Sequence, residues 1–256
     1  MLINSYIRVD DGMGLGDFIR GSISCYQLCK KHNIDFAIDL SQHPIGKCFS
    51  YTNSFESIYP ENLNSRFKFS ELDSYIETFK NSVENKNLSV YCNTYPTFPI
   101  EQTCKDFVKK YFILNSSVSD LKNKLFKSEN YEIVHIRVGD KIAFESNGEL
   151  LLDNIEIQVN NLKQHSNLPI YVFSDSYQVK NEIATRCNLF YTNSKPVHTK
   201  NTNTTDQSVI DTAIDFSILC NASRIYQFTN SEHYWGSGFS HSAQWLYDIN
   251  LSEYKF

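Results

Sequence analysis

What the chain lacks narrows it first. It has no excess of positive charge: 24 Lys and Arg face 29 Asp and Glu, for a formal net charge of −5 and a pI near 5.8. The broad basic field that holds nucleic acid is therefore missing, and an anionic ligand has to be held by local groups. No apolar run approaches the roughly 18–20 residues that cross a bilayer, so no membrane span is expected. No basic start followed by a short apolar core marks an export signal. The seven cysteines are an odd number without paired Cys-x-x-Cys spacing, which fits thiols in a reducing compartment better than a disulfide framework. A cytoplasmic protein is the expectation. There is no repeat, charge block or low-complexity tract, no Asp-x-Asp, and no His/Cys cluster at metal-ligand spacing, so no metal is expected.

What is present is ordinary globular composition. With 41% hydrophobic and 21% charged residues over 256 positions, the chain can bury one large core or two small ones. A strand over 2–8 leads into "VDDGMGLGDFIRG" (9–21), with glycines at 12, 14 and 16, then a helix over 17–32 and a strand over 35–40. Cys25 and Cys29, four apart on that helix, read as small buried hydrophobes. Residues 41–88 are polar, aromatic and irregular, with short helices expected around 70–82. A strand over 88–93 and one or two helices over 101–127 follow, with a stop and restart at Asn115-Ser116-Ser117.

The seam between halves is placed there, giving units 1–115 and 116–256. The second half alternates strands over 131–138, 169–175, 189–193 and 224–230 with helices over 152–165, 176–186, 206–222 and 237–248. That alternation is the pattern of a doubly wound α/β fold with mainly parallel sheets. Ligands in such sheets bind beyond the carboxyl ends of the strands. The polar residues cluster at those ends: Arg137 and Asp140, Ser174 and Asp175, Asn230 and Ser231.

Two segments carry candidate chemistry. In "HIRVGDK" (135–141), Arg137 ends a strand and runs into a Gly139-Asp140-Lys141 turn, an arrangement suited to bidentate contact with phosphate oxygens. A strand-end arginine paired with a surface carboxylate is the alternative. In 208–231, a helix carries Asp211 and Asp215 one turn apart, and Asn230-Ser231-Glu232 opens another. A carboxylate can accept from both N1–H and the exocyclic amine of guanine, and Ser231 at a helix start suits a phosphate. The alternative is an N-cap serine with solvated carboxylates. Trp245, Leu246 and Tyr247 read as core, Tyr234 and Trp235 as possible sugar-stacking faces, and His233 and His241 as structural or surface residues.

The ordered set "GMGLGDFIRG", "HIRVGDKIAFE", "IYVFSD" and "TAIDFSILCNASRIYQFTNS" resembles the fucosyltransferase superfamily, and within it the α1,6 group most closely. The related groups are the α1,2- and protein O-fucosyltransferases. The pattern His-x-Arg-x-x-Asp-Lys followed by a glutamate is met by His135, Arg137, Asp140, Lys141 and Glu145, and Asp215 precedes Ser231 by sixteen positions. The resemblance implies a GT-B-like α/β fold of two Rossmann-like lobes with an inter-lobe cleft, and metal-independent, inverting transfer of L-fucose from GDP-fucose to a glycan acceptor.

It further implies that Arg137 neutralises the leaving β-phosphate and Glu145 is the general base. Asp215 reads guanine, His135 lies beside the base, Ser231 and the Gly14–Gly16 backbone contact the diphosphate, and Asp175 lies near the donor. Asp140, Lys141, Ser174 and Asn230 complete the donor-binding set. Two departures matter. The α1,6 members carry a second arginine where this chain has Val138, and the anchor, stem and SH3 module of animal members are missing, which implies a minimal core of bacterial or viral origin. The rival readings are another nucleotide sugar as donor (rhamnose or another hexose), a non-catalytic nucleotide- or glycan-binding module, and an NAD(P)-dependent oxidoreductase. For the last, the acidic Asp39 is at a suitable distance but the glycine spacing is wrong.

Overall fold

The computed structural model describes residues 1–7, 13–51, 55, 68–82, 87–139, 148–195, 204–230 and 236–256. The chain divides into two compact units, one running from Met1 to Ser116 and the other beginning at Ser117.

The first unit is built on a parallel sheet of β1 (Leu2–Ser5), β2 (Phe36–Asp39) and β3 (Leu88–Val90) in the order β2-β1-β3. Every residue of the central strand β1 is buried, as a covered parallel strand requires. Helix α1 (Leu15–His32) places Phe18, Ile19, Ile23 and Leu28 in the core at helical spacing. It stops at Asn33, whose left-handed backbone (φ 55°) lets its N–H return to the last carbonyls. Cys25 and Cys29 are buried beside Leu28, Leu72 and Val90, as small hydrophobes.

The short helices expected around 70–82 are one continuous helix, α2 (Phe69–Ser82). Leu72, Ile76 and Phe79 form its buried stripe, and Glu71 accepts the N–H of Lys68 at 2.9 Å at its start. Asn4 is buried in β1 and ties three segments together, donating to Ser22 Oγ at 2.9 Å and accepting the Cys92 N–H at 3.0 Å. Helix α3 (Gln102–Lys109) closes this unit, and α4 (Ser116–Leu125) begins at the seam.

The second unit is a five-stranded parallel sheet. Its strands are β4 (Glu132–Arg137), β5 (Ile170–Ser174), β6 (Phe190–Tyr191), β7 (Arg224–Thr229) and β8 (Asn250–Lys255), in the order β6-β5-β4-β7-β8. Helices α5 (Gly148–Lys163) and α6 (Tyr177–Cys187) cover one face, where Val134, Ile136 and Val138 pack with Ile155, Val159, Ile183 and Phe228. Each such fully buried aliphatic side chain contributes about 1.5–3 kcal/mol. Helices α7 (Asp206–Leu219) and α8 (Gly238–Tyr247) cover the other face, where Phe216 and Phe239 meet at 5.2 Å.

The alternation expected for this half is present, with element ends differing by a few residues and one strand added. β8 lies beyond the last expected helix and pairs with β7 in parallel over its whole length. It lacks an apolar run because it is an edge strand, with Asn250, Glu253 and Lys255 exposed, and charge on an edge discourages further pairing.

Candidate functional site

Strand order reverses between β4 and β7, since the chain steps outward from β4 to β5 and β6 and then returns to the other side of β4. This is the topological switch point of the sheet, where ligands of open α/β folds bind at the carboxyl ends. Those ends carry Arg137 on β4 and Thr229, followed by Asn230, on β7.

In-register pairing sets mostly polar residues in two rows on the α7/α8 face. Phe173, His135, Gln227 and Glu253 form one row, and Arg137, Thr229 and Lys255 form the next toward the carboxyl edge. Arg137 donates through Nη1 to Asp175 Oδ2, and its side chain remains 24% exposed. The same carboxylate accepts the N–H of Val138 at 2.9 Å and of Gly139 at 3.1 Å. Asp175 thus clamps the end of β4 and fixes the guanidinium by charge-assisted bonds, so the strand-end arginine has its carboxylate partner, and that partner is itself only 21% exposed. Ser174 is buried and accepts the Ser176 N–H at 3.1 Å, shaping the turn that presents Asp175. Val138 points away from this face into the α5/α6 core.

His135 is buried beneath α8, its Nδ1 sharing a hydrogen bond with Ser240 Oγ. Burial, reinforced by the nearby Arg137 and His241 charges and opposed by Asp175, pushes its pKa down to about 4, which leaves a neutral imidazole at pH 7. Gln227 donates to Glu253 Oε1 at 2.9 Å. Its own Oε1 is buried without a hydrogen-bond partner among the described residues. His241 stacks on Trp245 and meets Glu253, which makes it a structural residue.

Asp215 lies deeper, 2% exposed on α7. Ser194 Oγ bonds both of its oxygens, at 2.9 and 3.0 Å. Lys180, which is 0% exposed, donates in turn to Ser194 through Oγ at 3.0 Å and through the carbonyl. Burial raises the Asp215 pKa to about 7, with Lys180 and Ser194 pulling it down and Asp211 adding to the rise. Burial likewise lowers Lys180, against the pull of Asp215 and Asp211. Asp211 accepts the Lys195 N–H and the Gln207 amide, both at 2.8 Å, so neither Asp211 nor Asp215 is simply solvated.

Lys180 and Ser194 were not candidates from the sequence. The signal for Lys180 was available, since it interrupts the apolar stripe Val179, Ile183, Ala184 and Cys187 of α6, and a lysine on a buried stripe needs a partner.

In the first unit, Gly14 is the N-cap of α1, with extended backbone (φ −71°) that any residue can adopt, and Gly16 is buried in the first turn. The approach to the helix is held by two tyrosines: Tyr6 Oη donates to the Met13 carbonyl at 3.2 Å, and Tyr91 Oη accepts the Met13 N–H. At Gly21 the packing leaves no room for a side chain, since a Cβ would lie 1.8 Å from the Cys92 carbonyl oxygen. Asp140, Lys141, Glu145 and Ser231, with Gly12, His233, Tyr234 and Trp235, lie outside the described residues. Among those described, no group of three or more His, Cys, Asp or Glu is set to hold a metal ion. No helix is long and apolar enough to cross a membrane.

No protein-family model and no curated protein matches the sequence. Solved structures do match in fold. NodZ alpha-1,6-fucosyltransferase soaked with GDP-fucose superposes with a TM-score of 0.58 at 15% identity, covering 96% of this chain and 91% of that one. The same enzyme co-crystallised with GDP gives 0.60 at 14% identity over the same shares. Selenomethionine NodZ from Bradyrhizobium gives 0.59 at 14%. An α/β chain whose parallel sheets follow that enzyme over nearly its whole length has a fucosyltransferase-like fold.

Proposed function

We propose that this chain is an inverting, metal-independent glycosyltransferase that moves L-fucose from GDP-fucose to a hydroxyl of a glycan acceptor. The observation that carries the reading is Arg137, clamped by Asp175 at the switch point of the sheet, in a fold shared with an enzyme whose crystals were soaked with GDP-fucose. The bond from the anomeric carbon to the diphosphate breaks as the acceptor oxygen attacks from the opposite face. Negative charge grows on the departing diphosphate, where a fixed guanidinium acts without reorganising. Glu145 takes the acceptor proton as general base.

Asp215, when ionised, accepts from N1–H and the exocyclic amine of guanine, and neutral His135 lies beside the base. Asp140, Lys141, Ser174, Asn230 and Ser231 belong to the donor-binding set, as do Gly14 and Gly16 at the start of α1. Seven buried thiols support residence in a reducing cytoplasm.

Calorimetric titration with GDP, UDP and ADP, followed by GDP-fucose turnover with chelator present, tests the reading. GDP is expected to bind about tenfold or more tighter than UDP, since a carboxylate built for two guanine donors is left unpaired by uracil. Glu145→Gln is expected to abolish transfer with GDP affinity intact. Equal binding of the three nucleotides overturns the donor assignment, and turnover in Glu145→Gln overturns the base.

A further inference from the structure

We propose that Lys255 is a second diphosphate-binding cation, acting across the end of β7 from Arg137. The inference rests on the GDP-sugar reading above and adds to it a residue on a strand that sequence patterning does not reveal.

The pairing of β8 sets the geometry. Lys255 is in register with Thr229, which is in register with Arg137, and register partners in a parallel sheet point to the same face. Arg137 and Lys255 therefore flank Thr229 in a single row at the carboxyl edge. Their backbones are two strand spacings apart, roughly 10 Å, and both side chains are long enough to close on a ligand seated over Thr229.

Lys255 already leans that way. Its Nζ donates to Thr229 Oγ1 at 2.7 Å, inward over β7 and not out from the edge. Its backbone is fixed on both sides: Gln158 Nε2 donates to its carbonyl at 3.3 Å, and the next residue, Phe256, donates to the Thr229 carbonyl at 3.2 Å. Tyr254 stacks on Phe228 with centroids 4.9 Å apart, which holds the register one residue earlier.

The two cations divide the work. Arg137 shares its guanidinium with the Asp175 carboxylate, and Lys255 brings a second cationic group to the same row. An ammonium is a point charge that rotates freely among phosphate oxygens, whereas the planar guanidinium fixes one orientation. Arg137 then sets the geometry of the leaving group, and Lys255 supplies attraction that grows as the diphosphate gains charge. Thr229 Oγ1 holds the ammonium until the ligand arrives.

The test uses the full chain and calorimetry with GDP and with guanosine. Lys255→Ala is expected to weaken GDP about tenfold, as loss of one charge-assisted phosphate contact does, with guanosine affinity unchanged. Lys255→Arg is expected to restore GDP binding to within a few-fold. GDP affinity is also expected to fall less steeply with salt in Lys255→Ala, since one fewer charge is screened.

Arg137→Ala is the control that separates this proposal from the reading beneath it. Unchanged GDP affinity in Lys255→Ala, beside a loss in Arg137→Ala, overturns the role of Lys255 and leaves the donor reading standing. Equal losses for GDP and guanosine in Lys255→Ala also overturn it, because they report a disturbed fold. No preference for GDP over guanosine in the unaltered chain overturns the donor reading, and the proposal with it.

Discussion

Two of the cation–carboxylate pairs in the second unit differ in almost everything except charge. Arg137 and Asp175 stand at the sheet edge with side chains 24% and 21% exposed. Lys180 and Asp215, joined through Ser194, are 0% and 2% exposed. At the edge, water screens the attraction, so the pair contributes on the order of 1 kcal/mol or less to stability. Its value is directional, because Asp175 also grips two backbone N–H groups and so aims the guanidinium. Inside, each charge has lost its hydration and depends on the other to offset that loss. The edge pair can trade partners with a ligand at small cost, whereas the interior pair is part of what keeps α6 and α7 together. One pair is chemistry held in place by the fold, and the other joins α6 to α7 through Ser194 while fixing the carboxylate proposed to read guanine.

Breaking the interior pair is expected to give the largest effect. Lys180→Met leaves a buried carboxylate without its cation and is expected to cost about 3–5 kcal/mol in urea unfolding. Adding Asp215→Asn to it is expected to recover part of the loss, the coupling expected of groups in contact. A loss below about 1 kcal/mol for Lys180→Met would show that the pair is not what holds this region.

Next is the pH dependence of Asp215 in that cluster and of His135 beneath α8. Asp215 has its folded pKa raised from 3.8 to about 7, so its contribution to stability is fully present below 3.8 and is lost as pH rises through about 7. His135 has its folded pKa lowered from 6.5 to about 4, so its contribution is present above 6.5 and is lost as pH falls through about 4. The two oppose each other between pH 4 and 6.5. Subtracting the stability profile of Asp215→Asn from that of the unaltered chain is therefore expected to leave a contribution that declines from pH 4 to 7. A flat difference curve refutes the assignment.

The edge pair is expected to reverse the pattern, with a small effect on stability and a large one on turnover. Arg137→Ala is expected to shift stability by no more than about 1 kcal/mol while lowering turnover of GDP-fucose about a hundredfold. Asp175→Asn, which keeps the shape but weakens the aim, is expected to fall between the unaltered chain and Arg137→Ala. If Arg137→Ala unfolds the protein as readily as Lys180→Met does, the distinction between the two pairs collapses.

The β/α alternation of the second half was legible because parallel strands covered on both faces are written as apolar runs such as Ile170 to Phe173, and helix stripes as spaced apolar residues. Arg137 was legible for a related reason: a charged residue closing an apolar strand marks the sheet's carboxyl edge. What escaped was written in contacts with no local pattern. Ser194 matters only because chain-distant Lys180 and Asp215 reach it. β8 escaped because Asn250, Glu253 and Lys255 look like a polar tail until β7 supplies hydrogen bonds. Asp175 was legible as a polar strand end, but its grip on the Val138 and Gly139 amides is a fact of three dimensions. The helix over 70–82 was legible in place but not in continuity, since Leu72, Ile76 and Phe79 are a stripe of only three.

The seam at Gly21 has a consequence for mutational tolerance. Helix α1 passes so close to the chain leaving β3 that even a methyl group at position 21 would meet the Cys92 carbonyl at 1.8 Å. Relief can come only by moving the helix, and its first residue lies about 9 Å along the same rigid rod. A saturation screen scored on activity would therefore flag position 21 as less permissive than position 14, where the backbone is ordinary. Of these two positions the more sensitive would be the last glycine of "VDDGMGLGDFIRG", which faces protein on the inner side of the helix.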